Sequence, residues 1–121
     1  MRIGNLFADS SPPLEGERFD TLLAHGNFVV ERILSSARIV SSEYVQSQDE
    51  WVVLLRGEAT LDVAGKNIEL KSGDYLFLPS KTPHTVLSVS EGALWLAIHM
   101  HEQPSFSTEL VTKEAQGETP G

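Results

Sequence analysis

The sequence predicts an all-β fold, a small barrel or sandwich preceded by one short helix. Three observations predict it. Between Asn27 and Met100 the apolar residues fall in short, strand-length runs rather than helix-length blocks. Clusters of Gly, Pro and Ser separate those runs at near-regular spacing. No gap between runs holds a crossover helix, which argues against a parallel α/β sheet. The 121 residues suit one domain, large enough to build a core without cross-links.

The chain divides into a leader and helix over 1–26, a barrel over 27–101 and a polar tail over 102–121. Ser10-Ser11-Pro12-Pro13 stops any helix that begins in the leader. Glu17 to Leu23 reads as a helix of about two turns, because Phe19, Leu22 and Leu23 fall at i, i+3 and i+4 and Gly26 suits a residue just past its end. Strand-like runs follow at Phe28–Leu34, Ala37–Val40, Glu50–Arg56, Ala59–Val63, Asn67–Leu70, Tyr75–Leu78, His84–Val89 and Ala93–Met100. Ala64-Gly65-Lys66 and Ser90-Glu91-Gly92 are short enough to close hairpins. Tyr75 and Phe77 share a parity and are expected between two sheets; Trp51 and Trp95 read as core or interface aromatics. In the tail, Phe106, Leu110 and Val111 are the residues able to latch onto a sheet or a partner.

Composition narrows the function. There is no cysteine, which excludes disulfides, thiolate metal ligands and thiol catalysis. A formal charge of −8 makes nucleic acid and anionic membrane poor partners. No apolar run reaches the roughly 18–20 residues that span a bilayer, and the N-terminus lacks the apolar stretch of a signal peptide, so the cytoplasm is the expected compartment. There is no Gly-X-Ser-X-Gly elbow, no His-Glu-X-X-His pair and no phosphate-cradling glycine loop.

Two segments carry the chemistry. In Tyr44-Val45-Gln46-Ser47-Gln48-Asp49-Glu50, Tyr44 and Gln46 share a face, and Glu50 joins them across the intervening link. In the second, Gly73-Asp74-Tyr75-Leu76-Phe77-Leu78-Pro79 leads through a proline-bounded turn to His84. A carboxylate inside a strand is expensive unless paired or bound to a cation, which singles out Glu50. His99 and His101 lie two apart in the last run; parity leaves open whether they face the lumen, because Trp95 and Ala97 beside them are apolar too. Arg56 is a candidate clamp for a substrate carboxylate at the barrel mouth.

These spacings resemble the cupin superfamily over about Val30 to His101. Its first motif, G(X)5HXH(X)3-4E(X)6G, is matched by Glu50 and Gly57 with six residues between them, and its second, G(X)5PXG(X)2H(X)3N, by Gly73, Pro79 and His84. The gap of 15 residues between Gly57 and Gly73 is the short one of small bacterial single-domain members. Tyr44 and Gln46 stand where the motif has its two histidines, Lys81 where it has glycine and Ser88 where it has asparagine. The chain thus looks like a subgroup with Tyr-X-Gln in the first motif. The resemblance implies a small double-stranded β-helix, a jelly-roll-like barrel that pairs into a homodimer. It also implies one divalent metal (Zn, Ni, Mn or Fe), with Glu50 and His84 as ligands; Gln46 is a candidate to complete the sphere, and so is His99 if its face is the lumen. A separate option is a metal-free isomerase that uses Tyr44 and His84 as its catalytic acid–base pair on a small-molecule ligand. The alternative is a metal-free ligand-binding or regulatory module in which Tyr44, Gln46, Glu50 and His84 bond the ligand directly.

Overall fold

The computed structural model describes residues 1–102. Nine strands follow one another: β1 (Glu17–His25), β2 (Phe28–Ser35), β3 (Glu43–Tyr44), β4 (Asp49–Arg56), β5 (Glu58–Val63), β6 (Lys66–Lys71), β7 (Tyr75–Leu78), β8 (His84–Val89) and β9 (Ala93–Met100). They form two antiparallel sheets, β1-β2-β9-β4-β7 and β3-β8-β5-β6. The all-β architecture is the one the patterning predicts, and its jelly-roll-like form is the one the resemblance implies. Among the described residues no helix is long and apolar enough to cross a membrane.

Several expectations are corrected. Ser90-Glu91-Gly92 does not close a hairpin: β8 and β9 lie in different sheets, and this turn carries the chain from one to the other. Glu17 to Leu23 is not a helix; it is most of β1, paired with β2 from Glu17↔Ser35 to His25↔Phe28. A two-turn helix is marginal alone, and a ladder along a neighbouring strand overrides it. The helical spacing of Phe19, Leu22 and Leu23 comes from a bulge between Thr21 and Leu23, which changes the side-chain parity within the strand. Gly26, at φ 58°, opens the two-residue turn of a β1–β2 hairpin instead of ending a helix. Ala37–Val40 is not a strand either: the Ala37 N–H donates to Glu91 Oε1, and the Arg38 carbonyl accepts from the Gly16 N–H.

The core lies between the sheets, built from Ile33, Val52, Leu54, Ala59, Leu61, Leu70, Leu78, Val89, Ala93, Trp95 and Ala97. Register puts Ile33, Trp95 and Leu54 on one inward row and Ala97 and Val52 on the next, since directly opposed residues share a face. Tyr75 and Phe77 are not between the sheets. They are 67% and 54% exposed on the outer face of the five-stranded sheet, where Tyr75 rests on Trp51 with ring centroids 5.6 Å apart.

Residues 6–16 cross the outer face of that sheet. Arg32 binds the carbonyls of Leu6 and Ala8 at 2.9 and 2.6 Å and the Asp20 carboxylate at 2.7 Å. Gly57 closes the first motif for a steric reason: at φ 105°, an added Cβ would lie 2.7 Å from Ser90 Oγ and 3.0 Å from Ala93 Cβ.

Candidate functional site

Four strands deliver polar groups to one inward cavity. β3 supplies Tyr44, β4 supplies Glu50, β8 supplies His84 and β1 supplies Glu17. Ile33, Val52, Leu61, Leu78, Val86 and Trp95 form its apolar walls. The cavity measures about 40 Å³, room for about three waters or one small ligand head. A larger groove of about 450 Å³ lies outside β5, β6 and β8, against solvent-facing Thr60, Glu69 and Ser88, far from this chemistry.

His84 opens β8, opposite Tyr44 on one side and Val63 on the other, and is buried. Its Nδ1 lies 3.1 Å from the Thr82 carbonyl. A carbonyl only accepts, so Nδ1 carries the proton, and in the neutral ring Nε2 keeps a lone pair. The Tyr44 ring sits 5.9 Å from the imidazole. Burial raises the Tyr44 phenol above its ordinary value, and the Glu17 charge adds to that push, so Tyr44 acts as a hydroxyl donor at neutral pH.

The turn before His84 holds the first motif in place. Lys81, which stands at the motif's glycine, keeps a left-handed φ of 64°, and its N–H donates to the Gln46 carbonyl at 2.6 Å. Gln46 is buried; its Nε2 donates to Glu50 Oε1 at 2.8 Å, while its Oε1 is buried without a partner among the described residues.

His99 faces the lumen, opposite Glu50 in the β4–β9 ladder, and is 0% exposed. Both of its ring nitrogens are engaged. Nε2 lies 3.2 Å from Glu31 Oε1, and Nδ1 lies 3.2 Å from Gln48 Nε2. The Glu31 carboxylate accepts from Nε2–H, so Nδ1 accepts from the Gln48 amide and no lone pair remains. His101 stacks on this ring at 6.4 Å. Arg56 lies away from the cavity, its Nε 3.3 Å from the Gly92 carbonyl.

The structure therefore brings Tyr44, Glu50 and His84 together, ties Gln46 to Glu50 and seats His99 in a separate buried network. Among the described residues no three His, Asp or Glu side chains are placed to hold one metal ion between them. What remains beside Glu50 and His84 is a single amide oxygen, a weak neutral ligand.

Glu17, Glu31 and Gln48 were not legible as site residues. Glu17 was hidden by the helical spacing. Glu31 had a signal: in Phe28–Leu34 it shares parity with Val29 and Ile33, so an inward strand face carries a carboxylate. Gln48, in the link before β4, had none.

Comparison with known proteins agrees with this architecture. The chain is similar to a crystal structure from Ralstonia eutropha JMP134, provisionally named a mannose-6-phosphate isomerase: identity is 30% and the TM-score 0.71, over 84% of this chain and 99% of that one. An RmlC-like cupin from Desulfovibrio desulfuricans shares 20% identity at TM-score 0.71, over 83% of this chain and 96% of that one. KdgF from Halomonas sp. shares 13% at TM-score 0.67, over 73% and 82%. No protein with a curated description matches. The cupin domain profile matches residues 33–102, and so, by sequence and by fold, the chain belongs to the cupin family.

Proposed function

We propose that the protein binds a small polar molecule without a resident metal. The Tyr44 hydroxyl, His84 Nε2 and the Glu50 carboxylate hold the ligand head at the cavity, and the apolar walls take its body. The observation that supports this most is the contrast in hydrogen bonding. His84 keeps Nε2 unprotonated at the cavity, whereas His99, the other expected imidazole ligand, has both nitrogens bonded internally. An unprotonated imidazole beside a neutral phenol is also a base–acid pair, so proton transfer on a bound ligand is within this chemistry. The provisional isomerase name of the Ralstonia relative is compatible with it.

A second reading has one observation in its favour. The orphaned Gln46 Oε1 is a hard acceptor beside Glu50, so a divalent ion held by Glu50, His84 and that oxygen would satisfy it. Elemental analysis of protein purified without chelator separates the two. The metal-free reading expects no stoichiometric Zn, Ni, Mn or Fe, an unchanged Tm in EDTA, and melting shifts with small polar compounds that vanish in His84→Ala plus Glu50→Ala. A stoichiometric metal lost in Glu50→Ala overturns it in favour of the second.

The proposal extends to a cytoplasmic homodimer. One outer row crosses all five strands, Leu23, Val30, Ile98, Trp51 and Phe77, and is wholly apolar. Such a row suits the matching face of a second copy. Light scattering is expected to give twice the chain mass, and Trp51→Glu plus Phe77→Glu half of that.

A further inference from the structure

The five-stranded sheet ends in two unlike edges. β7 is four residues long and stops at Pro79, and a short strand closed by proline is a blunted edge. β1 is nine residues long and pairs with β2 alone, so its other side is a ladder without a neighbour among the described residues. β1 also lacks cover, because the four-stranded sheet barely reaches it. Phe19 stands in the inward row with Ile33, Trp95 and Leu54; those three are buried, whereas Phe19 is 40% exposed. Leu22 and Leu23, at the bulge, are half-exposed. A long edge with uncovered apolar side chains invites pairing with any strand that reaches it.

The chain itself passes the end of this edge. Asn27, in the turn between β1 and β2, accepts from the His101 N–H at 2.9 Å, and its Nδ2 donates to the carbonyls of His101 and Glu102 at 3.0 and 3.3 Å. Residues 103–121 follow, and Phe106, Leu110 and Val111 lie among them, outside the described residues. Their sequence has the pattern of a strand: Phe106, Thr108 and Leu110 alternate with Ser107 and Glu109, and Val111-Thr112 continues the run. Length fits as well. A strand beyond β1 lies three strand spacings from β9, about 14 Å. From Glu102, extended chain reaches about 13 Å at Phe106 and about 26 Å at Leu110, enough to pass the turn and lie along β1. β1 and β9 both run antiparallel to β2, so a segment that doubles back from Glu102 meets β1 antiparallel.

We propose that residues 106–111 cover the open edge of their own β1 as an added antiparallel strand, with Phe106 and Leu110 on the side where Phe19 is uncovered. Ser107 and Glu109 then face the other way. Pro104, which has no N–H to give, falls in the crossing rather than in the ladder. The tether favours this occupant over a second copy: a short linker supplies a local concentration of order millimolar, far above that of a separate chain. An edge paired by its own chain is closed to other chains.

Hydrogen exchange of the full-length protein is the first test. The β1 amides that do not bond β2 are expected to exchange at least about tenfold slower than in Phe106→Asp plus Leu110→Asp, with the β9 amides unchanged within about threefold. Ser107→Asp, on the other face, is expected to leave the β1 amides within about threefold of the wild type. A wild type whose outward β1 amides exchange as fast as those of the double variant overturns the proposal, and so does equal loss of protection in Ser107→Asp.

Cross-linking identifies the occupant. The chain has no cysteine, so Leu22→Cys with Leu110→Cys carries the only two thiols. A short bismaleimide at micromolar protein is expected to join them within one chain, giving a product of single-chain mass with an internal cross-linked peptide. Cross-linked dimers overturn the proposal in favour of exchange between copies, and the absence of any link overturns it outright.

Discussion

Two histidines face the lumen of this barrel, and they differ in what their neighbours leave them. His99 lies deep between β2 and β4, with a carboxylate on one ring nitrogen and an amide on the other. His84 lies at the start of β8, with one nitrogen on a backbone carbonyl and the other at the cavity. A buried imidazole with two side-chain partners is part of the scaffold. A buried imidazole with one backbone partner keeps a ring nitrogen for a ligand, the role proposed for His84. Burial alone does not separate them, since both are below a tenth exposed. The difference lies in the count of lone pairs left over.

That comparison can be broken most directly at His99. His99→Ala is expected to destabilise the fold by about 3 kcal/mol, because it empties a packed position and strands both the Glu31 carboxylate and the Gln48 amide. Urea unfolding measures the loss, and ligand affinity of the protein that remains folded is expected to stay near that of the wild type. An affinity drop larger than the stability drop would place His99 in the site after all.

Gln48→Leu is the gentler version. It removes one donor to His99 Nδ1, and the expected loss is about 1 kcal/mol in the same experiment. His84→Ala sharpens the contrast from the other side. Only the bond to Thr82 and some packing disappear, so stability is expected to fall by about 1 kcal/mol, while ligand melting shifts disappear. Loss of fold without loss of binding would reverse the two assignments.

The smallest effect concerns acid. Burial alone would raise the Asp20 carboxyl, but its hydrogen bonds to Arg32 and Arg18, with their charges, outweigh that and hold it below the ordinary Asp value. A carboxyl depressed in the folded state stabilises the fold above its unfolded pKa, near 3.8, and that contribution is lost as pH falls through the folded value. Glu17 works in the reverse sense. Its raised value stabilises below about 4.5, and the contribution fades as pH climbs through the folded pKa. Thermal melts from pH 3 to 7 are therefore expected to show Asp20→Asn flattening the acid limb. Glu17→Gln is expected to gain slightly at neutral pH.

Most of the fold was legible, because short apolar runs between turn residues are a local signal. The barrel, strands β2 and β4 to β9, and the β5–β6 hairpin follow from that signal; the hairpin expected at Ser90-Glu91-Gly92 does not, because β8 and β9 lie in different sheets. The first strand was not, because a bulge after Thr21 gave a strand the spacing of a helix. The site was half legible. Glu50 and His84 stand at motif spacings, so their convergence could be read along the chain. What Gln46 and His99 do could not, because it depends on Glu31 and Gln48, which touch His99 across sequence separations of 68 and 51 residues. Tyr75 and Phe77 show the limit of parity: it says which residues share a face, and says nothing of which face is inward.

The clasp around Arg32 reads peptide oxygens, at Leu6, Ala8 and Asp9, and no side chain of that stretch. Peptide oxygens are common to every residue, so the clasp is indifferent to the letters spelled there and strict about the path they trace. The strictest point is Asp9, whose φ of 50° Asn or Gly accepts readily and a β-branched residue resists. Homologues are thus free to rewrite most of this opening stretch, provided their ninth position still allows the bend.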